Sequence, residues 1–93
     1  MNIQHEQNDR RGKFFILTEG KQKALMTYSV AGSNKIIIDH TEVDPSLKGQ
    51  GVGYQLVEAA VKYARGQSIK ILPLCPFAKA VFDKTAEYDD IRF

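Results

Sequence analysis

Apolar and polar positions change their period several times along this 93-residue chain, and each change marks an element. The first dozen residues are polar and predict a mobile tail over residues 1–12. His5 falls there and is expected to be a solvated tail histidine rather than a ligand. A single folded domain is expected over residues 13–93. It opens on Phe14-Phe15-Ile16-Leu17, an aromatic and branched run that predicts a strand over 13–19. Glu19-Gly20-Lys21 supplies a turn in which Gly20 can take a positive φ. Over 24–30, Ala24, Met26, Tyr28 and Val30 recur at every second position, with Leu25, Thr27 and Ser29 between them, which predicts a second strand. A third runs over 35–43, and its start is apolar on both faces, as in a strand covered on both sides. The short connections make these three an antiparallel meander.

Beyond Val43 the period lengthens. Asp44-Pro45-Ser46-Leu47 breaks the strand and leads into Lys48-Gly49-Gln50-Gly51-Val52-Gly53. Leu56, Val57, Ala60, Val61 and Ala64 then form one apolar stripe at helical spacing. Gln55, Glu58, Lys62 and Arg65 take the opposite side, with Glu58 and Lys62 in the favourable i, i+4 order. Gly66 is the expected stop of this helix. A fourth strand is predicted over 68–74, and a second helix over 76–85 with Pro76 in its first turn and Phe77, Ala78, Val81 and Phe82 inward. Residues 88–93 are expected to add a short edge strand. The class is α+β: an antiparallel meander followed by strand, loop, helix, strand and helix, in a central mixed sheet with helices.

Composition narrows the partners. An apolar share of 43% and a charged share of 26% suit one soluble globular domain, and the length leaves no room for a second. A net charge of +2 suits an anionic small ligand but lacks the dense basic patch of a nucleic-acid binder. No window approaches a membrane span, and no apolar stretch near the amino terminus resembles a signal peptide. The lone Cys75 has no partner for an internal disulfide or a thiolate metal site, so no metal is expected and a cytoplasmic location fits. So small a domain is expected to be a monomer or a weak homodimer.

Three glycines at alternate positions between a strand and an amphipathic helix call for a physical reason. N–H groups at a helix start lack partners, and the helix dipole favours an anion there. Gly49, Gly51 and Gly53 clear the approach for a phosphate, with Lys48 as countercharge. The rival reading is a flexible connector with capping glycines. A Walker loop is excluded because Gly53 is followed by Tyr54 and Gln55 rather than Lys and Ser/Thr, and a dinucleotide fingerprint because its third glycine would lie further on.

The stretch from Val43 to Leu56 resembles the core motif of the GNAT acetyltransferases, whose Arg/Gln-x-x-Gly-x-Gly/Ala loop holds a coenzyme A pyrophosphate. Ile38-Asp39-His40-Thr41 before the loop and Leu74-Cys75-Pro76-Phe77-Ala78 after it resemble the minimal single-domain subgroup. The resemblance covers residues 13–88. It implies a truncated GNAT fold, acetyl-CoA as cosubstrate and an unknown amine as acceptor. Carried over, it makes Lys48, Gly49, Gln50, Gly51, Val52 and Gly53 the pyrophosphate loop. It lays Thr41, Glu42 and Val43 along the pantetheine, where a backbone amide would meet the acetyl carbonyl as an oxyanion donor, a contact worth about 3 kcal/mol in other enzymes. It sets Phe77 and Lys79 on the coenzyme's other side, Lys79 toward its phosphates. Two departures stand out: Lys48 replaces arginine or glutamine, and the two helices that usually follow the first strand and build the acceptor site are missing.

Two residues are candidates for the chemistry. With Pro76 at the first helical position, Cys75 becomes the N-cap, and the positive end of a helix favours a thiolate nucleophile. The resemblance points to the same residue as an acyl carrier; the alternative is a small buried hydrophobe. His40 is a candidate general base. By alternation it shares a face with Ile36 and Ile38, so a hydrogen-bonded core histidine is its alternative, and Asp39 points to the other face. Two mechanisms stay open: direct attack of the amine with His40 or a water taking the proton, or prior acetylation of Cys75. A non-catalytic acyl-CoA-binding or sensing module is the alternative to an N-acetyltransferase. Phe14, Phe15, Tyr28 and Phe82 are expected in the core, and Glu87, Asp89 and Asp90 in a solvated tail.

Overall fold

A computed structural model describes residues 2–93. Its single sheet has the order β1-β2-β3-β4-β5, with β1 Gln4–Gln7, β2 Arg11–Thr18, β3 Lys21–Val30, β4 Lys35–Val43 and β5 Lys70–Pro73. The first four strands are antiparallel neighbours, and β5 joins β4 in parallel after a crossover through helix α1, Val52–Gln67. Helix α2 spans Pro76–Asp83. The fold is thus α+β with a mixed sheet, and its meander and crossover follow the predicted order. No helix among the described residues is long and apolar enough to cross a membrane.

The helices cover one face of the sheet. Phe14, Ile16, Ala24, Met26, Tyr28, Ile36 and Ile38 point into the same core as Leu56, Val57, Ala60, Val61 and Ala64 of α1 and Ala78, Val81 and Phe82 of α2. Tyr28, Met26, Ile38 and Leu56 are fully enclosed there, and truncating such a residue to alanine typically costs about 2–5 kcal/mol. Among the described residues no helix covers the opposite face. It carries Phe15 with the Lys13 ammonium over its ring, half-buried Leu25 and Ile37, exposed Leu17, and a polar strip along β3 and β4. β2 and β3 are joined by the tight turn at Glu19 and Gly20 (φ 52° and 78°).

Four expectations are corrected. Residues 4–7 are not a mobile tail: they form β1, paired with residues 12–15 of β2. The reason is aromatic packing that a polar tail does not advertise. The His5 ring stacks on Phe14 at 4.2 Å and meets Tyr63 edge-on at 4.5 Å, with Nε2 2.5 Å from the Tyr28 hydroxyl. Gln7 accepts hydrogen bonds from both Tyr28 and Tyr63. Gly12 makes room for this cluster, since a Cβ there would run into the Tyr28 ring. Helix α1 does not stop at Gly66. It ends at Ser68, whose left-handed backbone (φ 57°) sends its N–H back to Ala64 and Arg65 while Ile69 bonds Ala64. Residues 86–91 form a 3-10 helix rather than an edge strand, leaving one bridge between Arg92 and Ile71.

The fourth correction matters most for function. Thr27 of β3 pairs with His40, but Tyr28 pairs with Ile38, so Asp39 is an extra residue in β4. This β-bulge resets the alternation. Asp39 and His40 both lie on the open face, while Thr41 and Val43, opposite Met26 and Ala24, lie on the helix face. His40 therefore does not share a face with Ile36 and Ile38 and is not a core histidine.

A candidate coenzyme cleft between β4 and α1

The β4–β5 pairing ends at Ile38 and Pro73, where the amides of Leu74 and Cys75 both bond the Ile38 carbonyl and the chain turns into α2. β4 continues to Val43. Its edge from residue 39 onward faces α2 and the glycine loop instead of a strand. Pro73 and Pro76 enforce the divergence, because a proline cannot extend a sheet ladder.

The loop is built to present a helix start. Asp44 caps the short 3-10 turn Pro45–Leu47 by accepting from the Ser46 amide at 2.8 Å. That bond, assisted by Lys23 at 3.8 Å, holds the Asp44 carboxyl below its usual range. Gly49 and Gly51 then take positive φ (83° and 68°), a conformation that strains any residue with a side chain. Gly51 is the N-cap of α1 and offers no side chain to satisfy it. The first i→i−4 bond of the helix is from Gln55 to Gly51, so the N–H groups of Val52, Gly53 and Tyr54 point out of the helix start. Gly53 has a different role: a Cβ there would sit 2.6 Å from the Phe77 ring, so its absence lets α2 close against α1.

The resulting cleft has a volume of about 260 Å³. Thr41, Val43, Lys48, Gly49, Gly51, Val52, Gly53 and Phe77, all singled out from the sequence, line it. Leu47 and Tyr54 line it too and were missed. An aromatic residue directly after the third glycine was the available signal for Tyr54. Gln50, Glu42 and Lys79 do not line the cleft. Gln50 accepts from the Gln55 side chain, Glu42 faces His40 on the open side, and Lys79 pairs with Asp83 at 2.8 Å.

Cys75 lies behind the cleft wall, buried, as the N-cap of α2. Its Sγ accepts from the Ala78 amide at 3.4 Å and lies 3.3 Å from Thr41 Oγ1. A one-residue shift of β4 would remove Thr41 from the sulfur, so the bulge also decides this contact. On the far side, His40 Nε2 is 3.2 Å from Glu42, and both are exposed. Asp39 receives hydrogen bonds from Thr27 at 2.5 Å, Arg11 at 3.1 Å and Ser29 at 3.2 Å. Partial burial pushes its carboxyl upward, but these donors and the guanidinium charge outweigh it and hold the group below its ordinary range. Among the described residues no group of three or more His, Cys, Asp or Glu side chains is arranged to hold a metal ion.

A strand that splays from its parallel neighbour, with an uncapped helix start in the gap, is the architecture of the acetyltransferase class this sheet belongs to. Residues 13–91 match the model of the GCN5-related N-acetyltransferase family, and the chain belongs to that family. It is similar to a GCN5-like protein from Staphylococcus aureus solved in solution, with 39% identity, a TM-score of 0.76, and 99% of this chain and 89% of that one covered. The ribosomal-protein-S18-alanine N-acetyltransferase of Escherichia coli shares the fold at a TM-score of 0.67 and 21% identity, over 83% of this chain and 52% of the enzyme. The aminoglycoside N-acetyltransferase AAC(6')-Iy, solved in complex with CoA, does so at a TM-score of 0.60 and 16% identity, over 82% and 66% of the two chains. Among curated proteins, Protein NATD1 of Xenopus tropicalis is 25% identical over 75 residues, which is 80% of this chain and 69% of that protein.

Proposed function

We propose that this chain binds acetyl-coenzyme A in the cleft between β4 and α1 and transfers the acetyl group to an amine. The observation that carries the reading is the continuity of the cleft. It joins an uncapped helix start, suited to a pyrophosphate, to the unpaired edge of β4 and ends beside Thr41. The amides of Val52, Gly53 and Tyr54 and the Lys48 ammonium hold the diphosphate. The free edge of β4 over Thr41, Glu42 and Val43 accepts an extended chain carrying amides, as an added strand does. In this reading one backbone N–H of that edge receives the oxyanion that forms when an amine adds to the acetyl carbonyl.

In direct transfer, the amine nitrogen bonds to the acetyl carbon, the carbon–sulfur bond breaks, and the amine proton is taken up as the thiolate leaves. His40 and Glu42 face the open side of the sheet, where an amine has room to approach, and His40 is assigned as the group that takes this proton, directly or through a water. In the alternative route the Cys75 sulfur bonds to the acetyl carbon first and the coenzyme leaves as its thiol; the amine then attacks this acetyl-cysteine and the Cys75 thiol is released. Thr41 Oγ1 at 3.3 Å would then stabilise the sulfur as it exchanges partners.

Thermal melting with acetyl-CoA is the first test, since a ligand bound only by the folded chain stabilises it by about 2.7 kcal/mol at a hundred times its dissociation constant. An unchanged midpoint at millimolar acetyl-CoA would falsify the coenzyme reading. Release of free thiol across a panel of amines then measures turnover. A second reading, an acyl-CoA-binding or sensing module without turnover, draws on the lack, among the described residues, of the two helices that usually build the acceptor site. Binding without thiol release from any amine would favour it. An acetyl adduct seen by mass spectrometry in the wild type and absent from Cys75→Ala would select the covalent route.

A further inference from the structure

The rim of the cleft carries an aromatic ring and a cation that the pyrophosphate loop does not account for. Tyr54, in the first turn of α1, lines the cleft yet is 46% exposed. Its ring stands edge-on to Phe77 at 5.6 Å, which fixes its orientation. Lys84, the residue that ends α2, lies over the same ring at 4.7 Å, and its Nζ donates to the Tyr54 hydroxyl at 2.5 Å. Among the described residues Lys84 has no carboxylate within ion-pair distance, whereas Lys79, one turn earlier, is held by Asp83 at 2.8 Å. An exposed ring with an ammonium beside it that no carboxylate neutralises offers a stacking surface and a positive charge in one place.

We propose that Tyr54 and Lys84 form the subsite for the 3′-phosphoadenosine end of the coenzyme, with Lys84 taking the 3′-phosphate and Tyr54 the adenosine. The proposal rests on the coenzyme reading above and extends it to specificity. Covalent connectivity supports it, because the adenosine follows the pyrophosphate directly. A diphosphate on the amides of residues 52–54 must therefore send its adenosine over the surface around that same first turn. Lys48, the first residue of the loop, serves the diphosphate, and Lys79 is already paired. Lys84 is the cation left for a separate phosphate, and the Tyr54 hydroxyl holds its ammonium in place.

Calorimetric titration of the full chain with CoA and with 3′-dephospho-CoA, at low salt, tests this. The wild type is expected to bind CoA roughly five- to tenfold more tightly than the dephospho form, the size of one partly exposed charge-assisted contact. Lys84→Met, which keeps the apolar stem, should bring that ratio close to one by weakening CoA alone. Tyr54→Phe, which keeps the ring but frees the ammonium, should narrow it in part. Melting midpoints without ligand establish that each variant is folded. Equal affinities in the wild type, a ratio untouched by Lys84→Met, or a ratio abolished by Lys79→Met instead would each overturn the subsite. A wild type that binds neither compound removes the coenzyme reading and the subsite together.

Discussion

The two faces of β4 beyond its bulge are made from alternate residues of one short segment, yet they do opposite things. On the helix face, Thr41 and Val43 are half-buried, line a cleft and reach a buried cysteine. On the open face, Asp39, His40 and Glu42 form a polar strip, tied to β2 and β3 through Arg11, Thr27 and Ser29. The difference teaches that one extra residue assigns each side chain of this segment to a binding wall or to solvent. It also separates the two candidate catalytic residues, with Cys75 behind one face and His40 on the other. A mechanism that uses both must work across the strand.

The largest expected effect breaks the helix-side wall. Gly53→Val drives a branched side chain into the Phe77 ring and pushes α2 from α1. A loss of about 1–3 kcal/mol is expected in denaturant melts, with acetyl-CoA affinity falling by more than tenfold. If affinity survives, the cleft is not the coenzyme site.

The next comparison sets the faces against each other. Thr41→Val removes the hydroxyl beside Cys75 and should lower turnover while leaving the diphosphate grip intact. His40→Gln should lower turnover by about 10²-fold, the lower range for a general base, with KM for acetyl-CoA unchanged. Steady-state kinetics on both variants separates the routes. A large loss in Thr41→Val with none in His40→Gln favours acetylated Cys75, and the reverse favours direct attack.

Asp39→Asn tests what holds the bulge. It weakens charge-assisted bonds to Arg11 and to two hydroxyls, and should cost about 1 kcal/mol of stability. Because the folded carboxyl is held below its ordinary value of 3.8, its contribution is present above that pH and is lost as pH falls through the lower folded value. Melts at pH 7 and pH 3 should therefore differ less in Asp39→Asn than in the wild type.

The smallest effect lies in β1, outside the cleft. Burial holds His5 below its ordinary value of 6.5, so the unfolded chain binds the proton more readily. Stability should be highest above that value and decline as pH drops below it. His5→Phe, which keeps the stacking on Phe14, should flatten the decline in melts between pH 5 and pH 8.

Much of the fold was legible because it is local. Period-two alternation from Ala24 to Val30, the stripe from Leu56 to Ala64 and the Cys75-Pro76 junction each carry their own signature, and each is found where its pattern put it. The same holds for most of the cleft: Thr41, Val43, Lys48, Val52, Phe77 and the loop glycines were visible as a strand end, a glycine spacing and a helix start. Tyr54 and Lys84 were not, because thirty residues separate them and only the packing of α2 on α1 joins them.

The chain alone therefore determined the order of elements from β2 to α2, the glycine loop and the family motif, since those depend on residue type and spacing within a few neighbours. Tertiary structure decided three things that no window contains. Aromatic contacts with Phe14, Tyr28 and Tyr63 turned a polar amino-terminal segment into β1. Cross-strand register inserted Asp39 as a bulge and so moved His40 off the core face. The closure of α2 on Gly53 set the width of the cleft. Each rests on groups distant in sequence competing for the same space, and only the folded chain resolves that competition.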